Sequence, residues 1–262
     1  MIIDISHHQD PSRINYDKLA KQVKLVIIRT QYGSRTLDRH YKTHHKEFQK
    51  RGIPTAAYAW VRGINIADME KEATDFYNRT KEFNPTFWFL DVEEESMKDM
   101  RTGVKAYARK LRELGAKKVG VYIAHHLYKY FDIDVGDFDA VWIPHYGKNN
   151  GTLNSKPQYP CDLHQFTDKG RLDGYPGYLD LNKLTGTKPF DFFTQKDSNV
   201  TKDEKDEDEL DKIKINLHGK EIEVEGIYQD NTNYIPVRFL ENLGYEIGWE
   251  NGRVVIDYRK AK

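Results

Sequence analysis

An apolar run meets acid near the middle of the chain: Phe87-Trp88-Phe89-Leu90 leads into Asp91-Val92-Glu93, and Glu94 follows. A continuous apolar run of this kind predicts a strand buried on both faces. Side chains alternate along a strand, so Asp91 and Glu93 point one way and Val92 the other. Two carboxylates side by side at the end of a buried strand raise each other's pKa, and a poorly solvated wall raises both. One of them can then keep its proton near neutral pH and serve as a general acid. An isolated D-x-E is more often a pair of solvated loop residues, so the surrounding chain decides.

The elements that must position this pair alternate from the start. Ile2–Ile5 predicts a first strand with Asp4 inside it, and a helix around Tyr16–Val23 leads to the strand Leu25-Val26-Ile27-Ile28. A helix from about Arg39 to Lys50 stops at Gly52, a good residue for a left-handed helix end, and Ala56–Val61 is the next strand. Asn65 caps a helix with Asp68 at its third position. Ile66, Met69, Ala73, Phe76 and Tyr77 share one face of it. After the D-x-E strand come a helix from Met100 to Leu114, ended by Gly115, the strand Val119–Ile123, and a short helix near His125–Tyr130. The rhythm then changes to three bare strands: Val141-Trp142-Ile143, Leu163–Thr167 and Tyr178–Leu181. Five strand–helix units followed by three strands predict an irregular, TIM-like (β/α)5(β)3 barrel of the α/β class. Chemistry in such barrels sits at the C-terminal strand ends, where Asp4, Asp91, Glu93 and Asp180 would converge.

Composition narrows the function classes. The 262 residues carry 41 basic and 41 acidic side chains, so no strong field argues for nucleic acid or an anionic membrane. Cys161 is the only cysteine, which excludes an intramolecular disulfide. No segment is long and apolar enough to span a bilayer, so no membrane insertion is expected. Met1-Ile2-Ile3-Asp4-Ile5-Ser6 reads at once as a strand and not as a signal peptide, so synthesis in the cytoplasm is the expectation. The histidine pairs His7-His8, His44-His45 and His125-His126 invite a metal. Adjacent residues face different ways, however, and no Cys or His cluster completes a site; no metal and no cofactor is expected.

The barrel is expected to span 1–192. A charged, mostly acidic segment at 193–212 contains no aromatic residue over DSNVTKDEKDEDELDK and predicts a flexible linker. A small α+β unit at 213–262 has the pattern ββαββ. Its strands Ile213–Leu217 and Ile222–Ile227 flank the turn His218-Gly219-Lys220, and a helix runs Pro236–Leu243. The strands Tyr245–Trp249 and Val254–Tyr258 then flank an Asn251-Gly252 hairpin turn. About fifty residues are marginal for independent stability, so self-association or support from a neighbour is expected.

Over roughly residues 1–190 the chain resembles glycoside hydrolase family 25, the lysozymes (muramidases) common among bacteriophage endolysins. The resemblance rests on Asp4-Ile5-Ser6 with Gln9, Val26-Ile27-Ile28-Arg29 leading to Tyr32-Gly33, and Gly52-Ile53-Pro54 leading to Tyr58. It continues through Leu90-Asp91-Val92-Glu93, Gly120-Val121-Tyr122, Val141-Trp142-Ile143 with Tyr146, Gln165, and Leu179-Asp180-Leu181-Asn182. It implies cleavage of the β-1,4 bond between N-acetylmuramic acid and N-acetylglucosamine in peptidoglycan. Glu93 falls on the family's general acid. Asp91 would raise the Glu93 pKa and orient the substrate's 2-acetamido group, while Asp4 and Asp180 would shape the field. Tyr32, Tyr58, Tyr122, Trp142, Tyr146 and Gln165 are the expected substrate-binding residues. Retaining, inverting and substrate-assisted schemes stay open, with substrate assistance and retention preferred. His8 and His164-Gln165-Phe166 depart from the commoner aromatic, Trp-Gln-Tyr, pattern.

The tail resembles the copper amine oxidase N-terminal-like (stalk) domain, through Tyr234-Ile235-Pro236-Val237-Arg238, Leu240, Leu243-Gly244 and Trp249. No copper-ligand set accompanies it. Its implied role is to bind a cell-wall polymer and so raise the local enzyme concentration. Together these features predict an endolysin that lyses a Gram-positive host. It would be made in the host cytoplasm and reach the wall through a phage-made membrane hole. A non-catalytic glycan-binding protein on the same barrel is the alternative, and an N-acetylglucosaminidase or chitinase-like activity a third possibility.

Overall fold

The computed structural model describes residues 1–195 throughout and, beyond them, Leu240 and the strands named below. The chain divides into two compact units, Met1–Ser198 and Asn199–Lys262. In the first, five strand–helix units come in order: β1 (Ile2–Ile5) and α1 (Tyr16–Ala20), then β2 (Leu25–Tyr32), the short β3 (Thr36–Leu37) and α2 (Tyr41–Lys50). Next are β4 (Thr55–Trp60) and α3 (Ile66–Thr80), β5 (Trp88–Val92) and α4 (Met100–Leu114), and β6 (Val119–Ile123) with α5 (Tyr128–Phe131). Three strands follow, β7 (Ala140–Pro144), β8 (Leu163–Gly170) and β9 (Leu179–Leu184), and then α6 (Phe190–Thr194).

Strands β1, β2, β4, β5, β6, β7 and β8 pair in parallel in that order. Antiparallel β9 joins β8 back to β1 and closes the eight-stranded barrel, as the sequence pattern predicts. Because β9 runs the other way, its first residues share a rim with the last residues of the other strands. Asp180 is therefore the direct cross-strand partner of Asp4.

Alternation sorts each strand between two environments. The outward residues Trp88, Leu90 and Val92 of β5 join Met69, Phe76, Val104, Tyr107 and Leu111 of the α3 and α4 faces in one core cluster. The inward residues Phe87 and Phe89 pack with Ile2, Ile27, Tyr58, Tyr122 and Trp142 inside the barrel. Gly120 is required there: a Cβ on it would lie 2.2 Å from the Phe89 ring. The helix signals act as predicted, with the Asn65 side chain accepting from the Asp68 amide and Gly115 left-handed at φ 112°. The histidines of α2 are core residues with separate partners: Tyr16 hydroxyl for His44 and Thr55 hydroxyl for His45.

α6 was not expected. Its Phe193 is fully buried and stacks on Phe87 at the end of the barrel opposite the rim. An expected boundary at 192 cuts this helix one residue before its buried side chain.

In the second unit, β10 (Asp211–Leu217), β11 (Lys220–Gln229) and β12 (Thr232–Tyr234) form an antiparallel sheet, and β13 (Tyr245–Glu250) pairs with β14 (Arg253–Tyr258). Lys220, expected in a turn, opens β11, and β12 is an unexpected strand. Of the expected linker, residues 196–210 lie outside the described residues, while its two ends fall in α6 and β10. The expected helix Pro236–Leu243, Leu240 excepted, and the two hairpin turns also lie outside them.

Candidate active site

The barrel interior changes character over one strand repeat. Along four strands an inward apolar residue is followed two positions later by an inward polar one: Ile2 by Asp4, Ile27 by Arg29, Phe89 by Asp91, Leu163 by Gln165. The apolar layer forms a floor and the polar layer the wall of a cleft of about 190 Å³. Asp4, Asp91, Glu93 and Asp180 all line it, with Ser6, His8, Arg29, Tyr58, Trp60, Tyr122, Trp142, Tyr146 and Gln165.

A directed hydrogen-bond network ends on Asp4. The hydroxyls of Tyr122 and Tyr146 donate to Gln165 Oε1 at 2.9 and 2.7 Å. With its oxygen so occupied, Gln165 must turn its amide nitrogen to Asp4, donating at 2.9 and 3.1 Å to the two carboxyl oxygens. From the other side Trp142 Nε1 donates to Asn182 Oδ1 and Asn182 Nδ2 donates to Asp4 Oδ1, both at 2.8 Å. Every donor in the network is spent on fixing one carboxyl group.

Four acids face one guanidinium here, and burial dominates their titration. Asp4 is raised above the ordinary carboxylate range by desolvation, against the pull of Asn182 and Gln165. Its neighbour Asp180 is raised well above that range, by burial first and then by the Asp4 charge and hydrogen bond. Asp91 is likewise raised well above its ordinary value, by burial first and then by Glu93. Asp91 Oδ1 has no hydrogen-bond partner among the described residues, and the Arg29 charge pulls the other way more weakly than burial. Glu93 is raised by burial, with Asp4 adding, whereas its hydrogen bond with Asp91 lowers it. Burial raises both members of the Asp91/Glu93 pair. Burial is the largest cause of the upward shift in all four acids, and Glu93 is the half-buried, reachable member of the Asp91/Glu93 pair.

Of the expected substrate-binding residues, Tyr58, Tyr122, Trp142, Tyr146 and Gln165 line the cleft. Tyr32 does not; it lines an adjoining pocket. Arg29, Trp60, Ser6, His8 and Asn182 were missed as site residues, although Arg29 and Trp60 follow inward residues by the same two-residue step that places Asp91. The two departures from the family pattern separate: His8 lines the cleft, while His164 is buried with its Nε2 2.7 Å from the His145 carbonyl.

Glu94 fixes the rim beside the acid. Its Oε1 accepts from Trp60 Nε1 at 2.9 Å and from the Tyr32 hydroxyl at 3.4 Å, and pairs with Arg62 Nε at 2.7 Å. Below it, buried Glu72 of α3 accepts the Arg62 and Ser34 backbone amides at 3.0 and 3.2 Å, tying two rim loops together. Burial raises the Glu72 pKa from 4.5 to about 7. Through that window the folded chain holds a proton that the unfolded chain has lost, so stability falls as pH rises and stays low above it. The expected size is on the order of 3 kcal/mol. Unfolding midpoints at pH 5 and pH 8 should differ in favour of pH 5, and Glu72→Gln should narrow the gap; an unchanged gap would remove Glu72 as its source.

The family model "Glycosyl hydrolases family 25" matches residues 3–175. A glycosyl hydrolase 25 of Streptococcus pneumoniae, GHIP, described as a virulence factor participating in host cell invasion, is similar at 39% identity with a TM-score of 0.70. The match covers 72% of this chain and 88% of that one. The catalytic domain of endolysin ply40, from bacteriophage P40 of Listeria monocytogenes, is 29% identical with a TM-score of 0.68, over 73% of this chain and 94% of that one. An uncharacterized Escherichia coli O157:H7 protein, YegX, is 22% identical over 197 residues, 71% of this chain and 70% of that one. A matched model over most of the chain, on a closed barrel with a polar rim of paired acids, shows that this chain belongs to glycosyl hydrolases family 25 and is a glycoside hydrolase.

Proposed function

We propose that this chain is a muramidase of the endolysin type, hydrolysing the β-1,4 bond between N-acetylmuramic acid and N-acetylglucosamine in Gram-positive peptidoglycan. The observation that carries the reading is the Asp91/Glu93 pair, raised by burial at the base of an open cleft. Such a pair keeps an acid proton available where a glycosidic oxygen would sit. In the proposed reaction Glu93 gives its proton to the leaving oxygen as the C1–O bond breaks. The substrate's 2-acetamido oxygen bonds to C1, and Asp91 accepts the acetamido N–H. Water then adds to C1, Glu93 takes back a proton, the acetamido group is released, and configuration is retained. Asp4, held by Gln165 and Asn182, and Asp180 stabilise the positive charge that develops at C1.

Similarity to the phage endolysin domain supports a lytic role, in which the enzyme is made in an infected cell and reaches the wall through a membrane hole. The second unit serves as the wall anchor on this reading, alone or self-associated. Full-length chain should then sediment with purified walls more completely than residues 1–198, and equal sedimentation would remove that role. Digestion of purified Gram-positive peptidoglycan, borohydride reduction and mass spectrometry test the bond cleaved. Reduced muramic acid ends are expected; reduced glucosamine ends would assign a different glycosidase.

A further inference from the structure

A second pocket, of about 370 Å³, opens on the same rim and is lined by His7, Arg29, Tyr32, Thr36, Leu37, Asp38 and Arg39. Arg29 lines both this pocket and the catalytic cleft, so a ligand in one lies next to a ligand in the other. The pocket is built and not incidental. A register shift between Arg29 and Gln31 turns the Gln31 side chain onto Glu72 and Arg79 of α3 and pairs Tyr32 with Trp60. Tyr32 is then held on three sides: Glu94 accepts from its hydroxyl, Arg62 lies 4.5 Å over its ring, and the Trp60 ring is 5.3 Å away.

Its polar groups divide into spent and unspent. Asp38 is fully engaged, accepting from the His7 and His40 amides and from Arg29 Nε, so it presents no free negative charge. Arg29 is occupied by Asp38 and by the His7 ring. Arg39 is exposed at the mouth, with its Nε donating to His40, and Leu37 is 48% exposed on the hairpin above. The pocket therefore offers a small apolar surface, an aromatic wall and a cationic edge.

In the glycan substrate one group has the complementary chemistry. The muramic residue carries on O3 a lactyl ether amide-linked to a short peptide, with methyl groups near the sugar and free carboxylates further out. We propose that this pocket takes the lactyl-peptide arm of the muramic unit bound in the cleft, with Tyr32 and Leu37 against the methyl groups and Arg39 facing a carboxylate. The enzyme then prefers peptide-substituted glycan to the same glycan stripped of peptide. This rests on the muramidase reading and adds to it a choice between two substrates with the same scissile bond.

The test compares kcat/KM on purified glycan strands before and after an amidase removes the peptides, with reduced muramic ends as readout. Wild-type enzyme should favour the peptide-bearing strands by roughly fivefold, the scale of one charge pair with a few apolar contacts. Arg39→Glu and, separately, Leu37→Asp should bring that ratio towards one by raising KM on the peptide-bearing strands. Both side chains are exposed, and thermal melts of the two variants show whether the fold is kept. Equal wild-type cleavage of both substrates, or variants that slow both alike, would overturn the pocket assignment alone. No muramic ends from either substrate would overturn the muramidase reading and the pocket with it.

Discussion

Glu93→Gln is expected to lower glycan cleavage by about a thousandfold while leaving the fold and wall binding intact. The substitution keeps shape and removes the proton. Glu93 is half-buried and burial raises its pKa, so an amide there removes the cost of ionising a poorly solvated carboxyl. Stability above neutral pH should rise slightly for that reason. Asp91→Asn is the informative contrast. It keeps the acid but removes the partner whose hydrogen bond lowers the Glu93 pKa. Its pH–rate profile should therefore move its alkaline limb to higher pH, because Glu93 then holds its proton longer. The measurement is initial rate against pH for the three proteins on one peptidoglycan preparation. An alkaline limb that stays put in Asp91→Asn, or residual Glu93→Gln activity within tenfold of wild type, would take the acid role away from Glu93.

The parts of this site that were legible in sequence are those written in local alternation. Phe87, Phe89, Asp91 and Glu93 share a face because a strand has period two, and the structure keeps that face inward. The same step from Ile27 to Arg29 and from Tyr58 to Trp60 places two more cleft residues. The pairing of Asp4 with Asp180 is of another kind. It joins the two ends of the barrel through the antiparallel closure of β1 and β9, and no local pattern reports a contact across that distance. The barrel pattern brought both acids to one rim, but not their direct pairing. Tyr32 shows how a single irregularity defeats alternation. Counting by twos from Arg29 points Gln31 inward and Tyr32 out, and the register shift reverses both. The electrostatics followed from the apolar run, which buries the acids and so raises them.

Phe193→Ala is expected to destabilise the barrel by about 3–5 kcal/mol, a large fraction of the stability of an ordinary domain. The residue escaped the sequence reading because five residues, Phe190–Thr194, are too few to display a helical period. Its consequences come from position. The inward apolar layer of the strands needs a lid at the end opposite the active site, and fully buried Phe193 supplies it, with its ring 5.4 Å from Phe87 and 5.4 Å from Phe192. Lys118 ties the helix down, its ammonium donating to the Phe192 and Gln195 carbonyls at 3.0 and 3.2 Å. Removing the ring leaves a cavity under Phe87 and Phe89, which themselves support Trp142 and through it Asn182 and Asp4. The floor and the network that holds Asp4 are therefore one packed column, and loosening the floor should lower activity as well as stability. Urea unfolding followed by tryptophan fluorescence reads the barrel through Trp60, Trp88 and Trp142. Asp191→Ala, at an exposed position of the same helix, should leave the midpoint within about 0.5 kcal/mol of wild type. If Phe193→Ala matched it, the helix would be an appendage and the barrel would close without it. A chain ended at residue 192 should behave like Phe193→Ala or worse, since it loses the ring and the Gln195 carbonyl that Lys118 also holds.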